Sequence, residues 1–393
     1  MKPLLFIACL LFSFMASAHE LTASVGSETR YFPQEALTPP QNYHFNQSFV
    51  FQAEYFHEWD DDRQLFAVTP FFRVDQHDPE RTHFDIRELT WLKASNRWEL
   101  RLGIRKVFWG VIEFQHLVDI INQTDLVENI DGEDKLGQPM LNLALINDWG
   151  TLDLFVMPWF RERTFPGTKG RLRTQPRVNT DLSRYESGAK EKHVDFAVRY
   201  SHFFGDWDIG LAHFYGTSRE PQLLTTVREG EGVLFPFYDI INQTSLDVQA
   251  TKGNMLWKLE ALHRSGQGET YNALAGGFEY TIVGLLGSVI DLGLLAEYHY
   301  DERGKEAPNI FDDDIALGTR FAFNDASSSE LLAGLLVDKD NGGKFFNVEA
   351  SRRLAARWFL EMEGRFLFDQ DPGDPGFSLR RDDYVELLLT YYF

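Results

Sequence analysis

The chain has 393 residues, 44% hydrophobic and 15% aromatic, with a formal net charge of -21. That acidity argues against nucleic acid as a partner, because a polyanion is bound through the Lys and Arg that neutralise its phosphates. Past the first residues there is no run of 18 or more apolar residues, so no spanning helix is expected. A transmembrane barrel stays open, since its strands alternate apolar and polar and escape hydropathy averaging.

Met1-Lys2-Pro3 is a short basic start, Leu4 to Met15 is apolar, and Ala16-Ser17-Ala18 offers small residues for cleavage. This pattern predicts an export signal over 1–18 and a single barrel domain over 19–393, beginning at His19. The one cysteine, Cys9, falls inside the signal, so no thiol, disulfide or Cys-based metal site is expected in the exported chain.

Alternating segments then recur to the end. Strands are expected near 22–32, 48–58, 64–75, 83–94, 97–108, 139–146, 151–160, 192–203, 207–216, 238–250, 255–264, 271–282, 289–301, 314–323, 329–338, 344–353, 357–368 and 383–393. The fold class is therefore all-β: a transmembrane antiparallel β-barrel of about 18 strands, with 16 as the alternative count. The connections carry the same message. Short ones (Asp60 to Asp62, Ser95-Asn96, Gly205-Asp206, Lys252 to Asn254) alternate with longer ones such as 33–47, 109–138, 161–191 and 217–237. Short inner turns against long outer loops is the asymmetry of an outer-membrane barrel, and a soluble sandwich has no reason to show it.

Within strands, one face is apolar and the other charged. Trp98, Leu100, Leu102 and Ile104 oppose Arg97, Glu99, Arg101 and Arg105. Buried in a dry core such a charged face would be prohibitive, whereas a wet lumen accepts it. The proposed pore lining is Arg97, Glu99, Arg101, Arg105, Glu260, Glu279, Glu297, Arg320, Glu349, Glu361, Glu363 and Arg365. A structural salt-bridge network is the competing reading for the later strands. Segment 109–138 carries Glu113, Asp119, Asp125 and Glu128 among many apolar residues, and is expected to fold inward and narrow the lumen; the alternative is that it caps the barrel outside while the wall charges pair with one another. Its acids would face the basic residues of 97–106 and set up a transverse field. Loop 161–191 is rich in Arg and Lys and would suit lipopolysaccharide or an anionic solute; a solvated loop is the plain alternative.

Asp119-Ile-Ile-Asn-Gln-Thr124 recurs as Asp239-Ile-Ile-Asn-Gln-Thr244, but the flanks differ and the repeat reads as coincidence. Asp338 to Gly343 lacks the distal Glu of a calcium loop and reads as a polar turn. The histidines are scattered and form no hydrolase motif, so no catalytic residues, cofactor or metal are assigned.

The last strand places Val385, Leu387, Leu389, Tyr391 and Phe393 on one side. It resembles the C-terminal strand of bacterial outer-membrane barrels, in which the terminal aromatic is read by the barrel-assembly machinery; that likeness assigns Phe393 and Tyr391 to an assembly signal. Arg101-Leu-Gly-Ile-Arg-Lys-Val-Phe-Trp-Gly110, with Asp119 to Leu126 and Gly137 to Leu143, is similar to porin-like outer-membrane proteins of Gram-negative bacteria, and more distantly to alginate-export type barrels. Those families have Asn-Pro where this chain has Asn122-Gln123. The resemblance implies a channel in the outer membrane, in contact with lipid and lipopolysaccharide and passing a small or medium solute. The alternatives are a rim enzyme acting on lipid or peptide, or a non-conducting scaffold or adhesin; oligomeric state is left open.

Overall fold

The computed structural model describes residues 19–393, so the expected export signal lies outside the described residues. The described strands are β1 (His19–Tyr31), β2 (Phe45–Trp59), β3 (Gln64–Asp75), β4 (His83–Ala94), β5 (Trp98–Arg105), β6 (Gln138–Asn147), β7 (Gly150–Met157), β8 (Arg184–Tyr185), β9 (Asp195–Phe204), β10 (Trp207–Thr217) and β11 (Gln222–Arg228). They continue as β12 (Glu231–Tyr238), β13 (Ile240–Lys252), β14 (Met255–Ser265), β15 (Tyr271–Ile282), β16 (Asp291–Asp301), β17 (Asp313–Ala322), β18 (Glu330–Asp338), β19 (Lys344–Ala355), β20 (Trp358–Phe368) and β21 (Tyr384–Tyr392). Eighteen of them form one sheet, and each barrel strand pairs antiparallel with the next. The sheet closes where β1 meets β21, with Val25 opposite Tyr391 and Tyr31 opposite Val385. Closure leaves the barrel with no edge strand and satisfies its backbone polar groups within the ladder, which hydrocarbon requires.

The side chains follow the alternation of the pleat. Leu21, Phe49, Leu259, Leu274, Leu317 and Leu387 are exposed on the outside, while Glu28, Gln243, Glu260 and Arg365 are buried on the inside. Apolar out and charged in is the arrangement of a barrel solvated by lipid. At the chain's end the Tyr391 ring lies 4.9 Å from Trp358 and 5.1 Å from Phe393, forming an aromatic cluster on the rim. The Phe393 amide donates to the Ala23 carbonyl at 2.9 Å, so the last residue still belongs to the β1 ladder.

Two expectations need correction. Arg97 lies exposed at the rim where the turn from β4 enters β5, outside the lumen lining: its carbonyl accepts from the Ile146 amide of β6 at 2.8 Å, and β5 proper starts at Trp98. The connection expected over 217–237 contains the hairpin of β11 and β12, joined in parallel by β8. Its apolar side packs over the barrel mouth, burying Val233 and Phe235, which a loop reading of the sequence did not foresee.

Candidate functional site

The connection from β5 to β6 runs inside the barrel. Its two ends are stapled by the buried Asn122, whose Nδ2 donates to the carbonyls of Arg105 and Leu136, both at 2.8 Å, while its Oδ1 accepts from the Val107 amide at 2.8 Å. Between these ends the chain meets the wall in three chemically different ways.

The first contact is apolar. Trp109, Val118, Ile120 and Ile121 pack with Met140, Phe155, Met157, Ala197, Phe214 and Ile241 from the inner faces of β6, β7, β9, β10 and β13. Ile121 and Ile241 come from the two copies of the repeated hexapeptide and share this cluster.

The second contact is backbone to carboxylate. The amides of Val111, Ile112 and Val118 converge on Glu260 of β14, the latter two at 2.9 and 3.2 Å. The amides of Glu113 and Phe114 do the same to Glu297 of β16, at 2.9 and 3.1 Å. A chain with no ladder partner must place its N–H groups somewhere, and a carboxylate takes two or three. Gly110 permits the approach: its φ is +135° and a Cβ there would sit 2.7 Å from Glu260 Oε1. Phe114 then rests in a notch made by Gly318 and Gly334, which are cross-strand partners on β17 and β18. These strands lie roughly halfway round the wall from β5, so the segment crosses the full interior.

The third contact is ionic. Residues 123–125 and 134–136 pair as a small hairpin, with the Asp125 amide donating to the Asp134 carbonyl at 2.8 Å. Asp125 is bound by Arg87 at 2.6 Å and Glu128 by Arg73 at 2.6 Å. Arg73 and Arg81 also hold Glu28, at 2.6 and 2.7 Å. Asp131 reaches Arg365 of β20 at 2.9 Å. Burial raises the Glu128 carboxyl, but Arg73 and Arg81 outweigh it and hold the group below the usual carboxylate range. At Asp134 burial, with Glu128 and Asp131 adding like charge, outweighs the opposing pull of Arg87 and Lys106 and pushes the carboxyl up to about 7.

Most of the expected site residues meet in this interior, with different partners from those expected. Glu128 and Asp125 dock on Arg73 of β3 and Arg87 of β4, and Arg81 of their connection donates to the carbonyls of Val127 and Glu128 at 2.8 and 3.3 Å. The β5 arginines stay apart: Arg101 binds Glu99 and donates to Asn142 Oδ1 at 3.2 Å, and Arg105 donates to the same oxygen at 3.1 Å. No ion pair joins Arg97, Arg101 or Arg105 to the acidic segment among the described residues, because the segment leaves β5 at once, whereas Lys106 lies in the field of Asp125 and Asp134. Asp119 is buried against Lys135 at 3.3 Å. Glu260 and Glu297 serve as backbone acceptors and Glu279 faces Arg320 at 3.6 Å. Arg73 and Arg87 were findable as inward positions of two alternating strands; their distant partners were not.

Two cavities flank the segment along β17 to β21. The outer one, about 330 Å³, includes Glu113, Phe114, Asp131, Glu133, Leu332, Leu336, Phe345, Glu349 and Arg365 in its lining. The inner one, about 360 Å³, includes Glu113, Asp131, Arg320, Glu330, Leu332, Glu349, Glu361, Glu363 and Glu386. Glu113, Asp131, Leu332 and Glu349 line both, so the two cavities adjoin at one ring of residues.

Other constellations resolve differently. In the connection from β7 to β9, Arg171 is buried on Asp382 at 2.6 Å and Arg161 holds Asp85 at 2.8 Å, while Lys169, Lys190 and Lys192 are exposed. Asp338 accepts the amides of Asp340 and Asn341 at 2.7 and 3.1 Å, as a polar turn does. His83, Asp125 and Glu128 lie close enough to share a cation, but the guanidinium groups of Arg73 and Arg87 already take that charge. His193 Nδ1 is 2.8 Å from Asp195, the pairing a rim hydrolase would need. Asp195 is spent on Arg219 at 2.6 Å and on the Thr217 amide, and among the described residues no hydroxyl bonds to His193.

No protein-family model matches the chain, and no curated protein matches it. Solved structures do. OpdL of Pseudomonas aeruginosa superposes with a TM-score of 0.55 at 10% identity, covering 96% of this chain and 99% of that one. OccD3 (OpdP) of the same organism gives 0.52 at 10% identity, covering 96% and 91%. Wzi of Escherichia coli, described as an outer-membrane protein involved in group 1 capsule assembly and a carbohydrate-binding β-barrel, gives 0.55 at 8% identity, covering 95% and 84%. At such identities the likeness establishes the barrel fold and leaves function to the site.

Proposed function

We propose that the protein is a porin-like channel of the bacterial outer membrane, without catalytic activity, that passes a small or medium solute passively. Segment 106–137 is its constriction, and the path of least obstruction runs between that segment and β17 to β21. The observation that carries this reading is the pair of cavities on either side of the segment, sharing Glu113, Asp131, Leu332 and Glu349. The apolar outer surface supports membrane insertion, and the barrel likeness to OpdL and OccD3 is compatible with it. Of the residues proposed to line the pore, Arg320, Glu349, Glu361, Glu363 and Arg365 border these cavities. The others are assigned to holding the segment and wall in place.

A second reading has one observation in its favour: the interior is so fully crossed that the barrel resembles a plugged one, and Wzi is a carbohydrate-binding barrel of the same fold. Single-channel recording on the refolded mature chain in planar bilayers separates the two. Discrete open levels are expected; a folded, heat-modifiable barrel that stays silent would favour the carbohydrate-binding or scaffold reading.

A further inference from the structure

The two cavities are unequal in charge and in polarity to the rest of the interior, and this bears on what passes. We infer that the channel selects organic cations that carry an apolar portion, an inference that rests on the channel reading above. Three arginines line the two cavities: the half-buried Arg163 of the outer one donates to Gln123 Oε1 at 3.2 Å and lies in the field of Glu220, and the two near the shared ring are consumed by ion pairs. Arg365 is buried and held by Glu349 at 2.8 Å, Asp131 at 2.9 Å and Glu363 at 3.3 Å. Arg320 is taken by Glu113 at 2.7 Å and Glu279 at 3.6 Å. The acids outnumber them. The Glu349 side chain remains 43% exposed beside Arg365, and the Glu133 side chain 60% exposed beside His116. Glu330 and Glu361 add carboxylates on the inner side with no ion-pair partner among the described residues. In a narrow gap with low-dielectric walls this excess is weakly screened, so anions are repelled and cations concentrated.

Charge alone would favour any cation. The opposite wall narrows the class. Leu332, Leu336, Phe345 and Leu367 come from β18, β19 and β20 and line the outer cavity across from Asp131 and Glu133. A hydrated inorganic ion gains nothing from such a wall, whereas the apolar portion of an ammonium-bearing solute is removed from water there while its charge faces the carboxylates. A volume of about 330 Å³ suits a solute of modest size.

The test uses the full mature chain in planar bilayers, first under a KCl gradient and then with methylammonium chloride, hexylammonium chloride or sodium hexanoate added to one side. The expected result is a reversal potential of cation sign, with hexylammonium entering or blocking at several-fold lower concentration than methylammonium, and hexanoate doing neither. Glu133→Gln, at an exposed position where folding is not at stake, and Glu349→Gln should each lower the potassium-to-chloride ratio several-fold. Leu336→Ser with Phe345→Ser should bring hexylammonium down to the level of methylammonium. A conducting channel that prefers chloride, or is indifferent to sign, overturns the inference and leaves the channel reading standing; so does equal action of the two ammonium ions. A silent but folded barrel overturns the channel reading itself, and this inference with it.

Discussion

The two sides of the interior differ in what holds the crossing segment. Against β6 to β13 the segment is packed solid: Trp109, Val118, Ile120 and Ile121 fill the space left by small and apolar inward side chains such as Ala197 and Ala212. Against β17 to β21 it touches the wall through Phe114, Asp131 and Asn129 and leaves two cavities. On the first side apolar side chains of segment and wall exclude the water between them; on the second the segment presents Glu113, Asp131 and Glu133, whose carboxylates keep water, to an apolar patch of Leu332, Leu336 and Phe345. One segment therefore anchors on one half of the barrel and shapes a passage along the other.

The strongest way to break this contrast is to remove the segment. Deletion of 111–136 should raise single-channel conductance several-fold, read in planar bilayers with heat-modifiability as the control for folding. Unchanged conductance would mean that the segment does not limit flow. Next in size is Trp109→Ala on the packed side, buried in the apolar cluster, which should cost about 3–5 kcal/mol of docking stability. Hydrogen exchange at the amides of 107–121 would read it, with faster exchange there than in the strands. On the open side, Gly334→Ala should cost less, about 1–3 kcal/mol, because the new Cβ would sit 2.3 Å from the Phe114 ring. Its signature is gating noise with the barrel intact.

The pH dependence is smaller and its sign follows from Asp134. Its carboxyl is raised to about 7 when docked, above the ordinary value of about 4. The docked state thus binds the proton more tightly, and docking is stabilised at low pH and loses that stability as pH rises from about 4 through about 7. Exchange at 122–136 should quicken over that window, and Asp134→Asn should flatten the trend. The smallest effect is expected for Arg101→Glu. Because Arg101 sits with Glu99 and Asn142 away from both cavities, ion selectivity should stay close to that of the parent channel; a large shift would put the path beside β5 instead.

Much of the fold was legible because a barrel strand is a local object. Period-two alternation, as in Trp98 to Arg105, requires only that one face meet lipid and the other water, and each strand declares this alone. Connection lengths then gave the alternation of short and long ends, hence an even count and closure. The hairpin of β11 and β12 was missed since its apolar residues cover a mouth that exists only once the barrel is closed. The crossing segment was marked by its length and apolar content, yet its partners were misassigned. Sequence proximity put its acids beside Arg101 and Arg105, while Arg73, Arg87 and Arg365 receive them in space.

The amino-acid sequence by itself determined an antiparallel barrel of about eighteen strands with a charged interior, since alternation is fixed residue by residue. Only the tertiary structure decided which half of the interior is filled and which carboxylates border open space. Those outcomes depend on where a chain halfway round the wall arrives. That Glu260 and Glu297 are sealed by backbone amides while Glu349 stays exposed is a fact about crossing chains, and alternation along a strand treats all three alike.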